Sequence, residues 1–220
     1  MKIYDAVLFW FGGVLSDTVA DLTTGQLPSH ADRHYTLKIR QVVRSLAEEL
    51  ALGSVSSKEY CQRTLAVYDS DLVASTLENG IIAGASLRPT VAELIASIPT
   101  TYDCWLVVDF PTDWWRKVSA RCKINTLFPD DRIILIPEMR IGRIVPEIFH
   151  SLPLRAGRSV DACITIDACS ARAVASTQHG LASIIYVYPE RLKLELALQG
   201  IFPTETNIMH PTSSERVKIG

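Results

Sequence analysis

Residues 3 to 15, Ile-Tyr-Asp-Ala-Val-Leu-Phe-Trp-Phe-Gly-Gly-Val-Leu, constrain the fold more than any other stretch. An apolar run broken only by Asp5 ends in Gly12-Gly13 and re-enters Val14-Leu15. A short apolar run bounded by glycine is the pattern of a buried strand feeding a tight turn. Both faces of this run are apolar, which suits a central parallel strand covered on both sides. In open α/β sheets the site lies beyond the carboxyl ends of such strands. Here that end is Trp10-Phe11-Gly12-Gly13.

The rest of the chain supplies a sheet for that strand. Ser16 to His30 is polar and reads as a loop leaving the sheet. Ile39, Val43, Leu46 and Leu50 follow at helical spacing, stopped by Gly53. Ser56-x-x-Glu59 is a capping box for a second helix through Tyr60, Leu65 and Val67, and a third is expected from Ser70 to Leu77. Residues 17–83 thus read as a helical insertion. Pro89 then opens a helix with Val91, Leu94, Ile95 and Ile98 on one face. Apolar strands are predicted at Cys104–Val108, Ile133–Ile136, Ala162–Ile166 and Ile184–Val187, with helices between them. Among these helices, the one capped by Ser170 is expected to turn Ala171, Val174 and Ala175 inward, and Gly180 to stop it. Strands alternating with helices mean an α/β fold with a Rossmann-like parallel sheet and right-handed crossovers. The expected division is a core of residues 1–16 and 84–202, an insertion of 17–83 and a polar tail of 203–220.

Composition narrows the partners. With 220 residues, 48% hydrophobic, the chain can bury one sizeable core. A net charge of −2 without a basic run argues against nucleic acid. No apolar stretch reaches membrane-spanning length, and no signal-peptide pattern opens the chain. The five cysteines, an odd number without a Cys-x-x-Cys pair, read as reduced thiols of a cytoplasmic protein, with Cys104 and Cys163 as buried filler. A homodimer stays open.

The opening stretch resembles the first motif of the haloacid dehalogenase-like (HAD) hydrolases, commonly Phe-Asp-Phe-Gly-Gly-Val-Leu. Gly142 to Phe149, Gly-Arg-x-x-Pro-Glu-Ile-Phe, is the other specific part of the resemblance. The helical insertion matches the position of the cap in one HAD subclass. What the resemblance implies is a nucleophilic Asp after the first Phe and an acid two residues on. It further implies a Ser or Thr after the second strand, a Lys near the third, and acids after the fourth that hold Mg²⁺. In this chain Trp10 stands at the nucleophile and Gly12 at the second acid. Asp109 stands at the Ser/Thr position, Arg143 at the Lys, and Asp167 survives while Ala168 replaces its frequent partner.

An indole cannot form a covalent ester or acyl phosphate, so the family's chemistry is not expected here. With one carboxylate left of the usual set, neither a metal nor any other cofactor is expected. The expected function is a repurposed, metal-independent enzyme for an apolar organic molecule. Trp10, Trp114 and Trp115 would line an aromatic pocket with Gly12, Gly13 and Asp17. Asp109, Arg143, Asp167 and His34 are the candidate catalytic groups, His30 and His34 lying in the first part of the cap. Isomerisation, cyclisation, elimination or a pericyclic step would suit such a site. The alternatives stand beside it. The tryptophans could instead be core packing, the polar groups a salt-bridge network, and the chain a catalytically dead interaction or regulatory protein. Cys169, at a helix start, has no evident base beside it.

Overall fold

The computed structural model describes residues 4–27, 33–68, 70–139 and 146–202, and of 33–36 the backbone alone. Among the described residues β1 (Ala6–Trp10) comes first. Four helices follow, α1 (Val19–Gly25), α2 (Arg33–Ala51), α3 (Ser57–Val67) and α4 (Ala74–Gly84). From there helices and strands alternate: α5 (Pro89–Ala96), β2 (Asp103–Val108), α6 (Thr112–Cys122), β3 (Ile133–Leu135), α7 (Ile136–Met139) and α8 (Pro146–Arg155). The last elements are β4 (Cys163–Asp167), α9 (Ser170–Gln178), β5 (Ala182–Ile185) and α10 (Pro189–Leu198).

Among the described residues the five strands are parallel, in the order β3-β2-β1-β4-β5. All five residues of β1 are buried, as a central strand covered on both faces requires. The register sets Trp10 opposite Val107 of β2, and Phe9 opposite Ile166 of β4. Asp109 directly follows β2 and Asp167 is the last residue of β4. Trp10, Asp109 and Asp167 therefore meet at one edge of the sheet.

Several elements differ from the sequence expectation, each for a local reason. The polar stretch after Ser16 holds α1, because Thr18 caps it, accepting from the Asp21 N–H at 3.2 Å, while Val19, Ala20 and Leu22 bury. The fourth helix runs Ala74–Gly84 instead of Ser70–Leu77, since burying Ile81 and Ile82 draws it onward. Ile136 leaves β3 and opens α7. In α9 the buried residues are Arg172, Ala173 and Ser176; Ala175 is half-buried against the core as expected, while Ala171 and Val174 are exposed. A hydrophobic pattern cannot reveal that face, because an arginine held by Asp167 occupies it. Cys169, not Ser170, is the N-cap of α9, and it makes no side-chain cap bond.

At the amino edge of the sheet, Asp103 takes Arg132 on one oxygen at 2.9 Å and Arg158 on the other at 2.6 Å. All five cysteines are free thiols. Burial pushes the Cys163 thiol up to about 11. No described helix is long and apolar enough to cross a membrane.

Candidate active site

The loop leaving β1 closes tightly on itself. The Gly13 N–H donates to the Ser16 carbonyl at 2.7 Å, and the Leu15 and Ser16 N–H groups donate to Phe11 at 3.0 and 2.9 Å. Gly13 has φ +89°, and a Cβ there would lie 2.8 Å from the Ala168 Cβ. Both conditions call for glycine. Arg88 staples the loop. Its Nη1 donates to the carbonyls of Gly13 (2.8 Å), Val14 (2.9 Å) and Ser16 (2.9 Å), and its Nη2 donates to Asp17. Asp17 is thus bound to the loop's own scaffold. Sequence reasoning missed Arg88, which carries no motif and merely precedes Pro89.

At the strand ends, Trp10 is 1% exposed and lies under the guanidinium of Arg172, whose carbon is 3.5 Å from the indole centroid. Arg172 donates from Nε to one oxygen of Asp167 and from Nη2 to the other at 2.7 Å. The Cys169 N–H donates to that second oxygen at 2.8 Å. Asp167 is completely buried. Burial works against the charged guanidinium. The hydrogen bonds and charge of Asp167, with the charge of Asp109 beyond, outweigh it and raise the Arg172 pKa above its ordinary value. Asp109 is buried as well. A Cβ on Gly12 would come within 2.9 Å of its Oδ1, so a side chain at position 12 requires Asp109 to move.

Between this edge and the helices α1 and α2 lies a cleft of about 730 Å³. Gly12, Gly13, Asp109 and Arg172 line its floor, with Ala168, Cys169 and Ser170. Thr18, Asp21, Arg44 and Glu48 form the opposite wall, and Arg88 lies at the side. Asp167 sits behind Arg172 and is not part of the lining.

The expected aromatic pocket is not formed by the three tryptophans. None of them lines the cleft. Trp114 is fully buried and edge-on to Tyr60, with centroids 5.9 Å apart. Trp115 is edge-on to Phe11 at 5.0 Å. These large side chains go where most of their apolar area leaves water, the seam joining α6, the β1 exit and the helical insertion. The Tyr60 hydroxyl is 2.7 Å from the Thr23 hydroxyl in the same seam. Arg143 and His30 lie outside the described residues. His34 is in α2, and its side chain is not described.

Magnesium does not fit the residues present. Trp10 and Ala168 offer no side-chain oxygen, and Arg172 and Cys169 already occupy the carboxylate of Asp167. Among the described residues no group of three or more His, Cys, Asp or Glu is arranged to hold a metal ion.

No protein-family model matches the chain, and no curated protein matches it by sequence. Solved structures do match. A HAD family enzyme from Bacteroides thetaiotaomicron, BT-2542, superposes with TM-score 0.65 at 13% identity, over 84% of this chain and 95% of that one. L-2-haloacid dehalogenase from Xanthobacter autotrophicus gives TM-score 0.64 at 18% identity, over 91% of this chain and 85% of the other. A predicted HAD-like family hydrolase from Porphyromonas gingivalis gives 0.62 at 12%, over 90% and 98%. At these identities the likeness is one of fold, and the fold of this chain is the HAD-like α/β fold.

Proposed function

We propose that this chain uses the cleft of a HAD-like fold as a metal-independent, non-covalent site for a small organic molecule, without phosphatase or dehalogenase activity. One observation carries this: Trp10 is buried at the end of the central strand with Arg172 stacked on it and paired to Asp167. The nucleophile's place holds a group that cannot attack, and the carboxylate that would draw a metal is already neutralised. What the cleft offers is position and polarity. Asp109 lies on the floor and Arg44 on the facing wall. Such an arrangement supports steps that need orientation and proton or charge assistance, such as isomerisation, elimination or cyclisation. The lining mixes Arg44, Arg88 and Arg172 with Asp21, Glu48 and Asp109. The expected ligand is therefore polar, with groups of both signs or several hydrogen-bonding groups, and not the apolar molecule that an aromatic pocket would take.

The internal pairing of Arg88 with Asp17, and of Arg172 with Asp167, favours a second function, a binding or regulatory module. Thermal shift against a panel of organic acids, amino acids and amines, without magnesium, tests both. Stabilising compounds whose effect disappears in Arg44→Ala and Asp109→Asn support the cleft as the site. A stabilising compound consumed during incubation supports the enzyme, and one recovered unchanged supports the module. Turnover of p-nitrophenyl phosphate or 2-chloropropionate would overturn the proposal.

A further inference from the structure

Arg172 is a buried cation, and its surroundings are more specific than a salt bridge needs. We propose that Trp10 and Asp167, with Asp109 nearby, form a cradle selective for a planar guanidinium-type cation, which the chain fills with its own Arg172 where a HAD-like hydrolase would hold magnesium.

Two independent recognition elements converge on the guanidinium. The indole face of Trp10 lies 3.5 Å from the guanidinium carbon, the stacking arrangement that a delocalised planar cation favours. The carboxylate of Asp167 takes two N–H groups from the edge, the forked geometry that an ammonium or a metal ion cannot reproduce. Both elements are held rigidly. Trp10 belongs to the central strand, between β2 and β4. The Cys169 N–H fixes the carboxylate from the other side at 2.8 Å. A hard divalent ion would find an aromatic wall in place of the oxygen ligands it requires. Arg172 also lines the cleft, so a small molecule can reach the space its side chain would leave.

This inference does not depend on any substrate for the cleft, and chemical rescue tests it. Arg172→Ala removes the guanidinium and leaves the cradle. The variant is expected to melt well below the parent. Guanidinium or methylguanidinium chloride at millimolar concentration, far below the molar range in which guanidinium denatures, is expected to restore at least half of the lost Tm with saturation. Sodium, ammonium and magnesium chlorides at equal ionic strength are expected to do nothing. Adding Trp10→Leu to Arg172→Ala is expected to weaken the rescue at least tenfold, because one wall is gone. Where Arg172→Ala does not fold in plain buffer, refolding yield with each salt replaces Tm as the readout, with the same expected order. Absence of guanidinium rescue in both formats would overturn the cradle. Equal rescue by ammonium or sodium would reduce it to a nonspecific charge effect. Rescue by magnesium would show a metal site that Arg172 merely covers.

Discussion

The two edges of the sheet solve the same electrostatic problem in opposite ways. At the amino edge, Asp103 is flanked by Arg132 and Arg158, with side chains 26%, 38% and 40% exposed. At the carboxyl edge, Asp167 and Arg172 are 0% and 6% exposed and lie beneath the cleft. Water can take over either partner of the outer cluster if the other is lost, so its net worth is small. It cannot reach Asp167, and losing one partner leaves a charge in a medium that solvates it poorly. An Asp–Arg pair seen in a structure therefore says little until burial is known. At the carboxyl edge, the pair is built so that its carboxylate is fully enclosed and its guanidinium nearly so.

Four substitutions put that contrast to work, in falling order of effect. Arg172→Met should cost about 3–5 kcal/mol, because Asp167 is left buried and uncompensated. Coupling it to Asp167→Leu should recover much of the loss, since exchanging a buried pair for apolar side chains is often close to neutral. A double variant as unstable as Arg172→Met alone would mean that packing, not charge, makes the edge fragile. Trp10→Ala should cost about 3–5 kcal/mol through the cavity it opens, with loss of the face on which Arg172 rests. Chemical denaturation of the variant measures this directly, and a loss under about 1 kcal/mol would show that Trp10 is not part of the packed core. Asp103→Asn should cost less than about 1 kcal/mol, and that small loss should shrink further as salt is raised. A large, salt-insensitive loss there would erase the distinction between the two edges.

Much of the frame was legible in the sequence. The apolar run to Trp10, the glycine turn, and the alternation from Pro89 to Leu198 led to the observed parallel sheet, because strand and helix periods are local signals. The carboxyl-edge positions of Trp10, Asp109 and Asp167 followed from strand ends alone. What was not legible depended on partners distant in sequence. Arg172 sits on a face that periodicity assigns to solvent, and only Asp167 and Trp10 explain why it turns inward. Arg88 reaches the β1 exit across more than seventy residues. Pocket wall and core packing both suit tryptophans near a strand end, because periodicity does not encode side-chain direction. The structure puts Trp114 and Trp115 in the seam with Tyr60 and Phe11, and Trp10 under Arg172.

The most direct measurement is isothermal titration of the wild-type protein with magnesium and beryllium fluoride, which together mimic a phosphorylated aspartate beside its metal. With Trp10 buried at the end of the central strand and Arg172 on Asp167, no saturable heat is expected beyond dilution, with either component alone or with both. Stoichiometric binding of the pair would mean that another carboxylate of the cleft, Asp109 foremost, serves as nucleophile and metal ligand, and would contradict a site without covalent or metal chemistry.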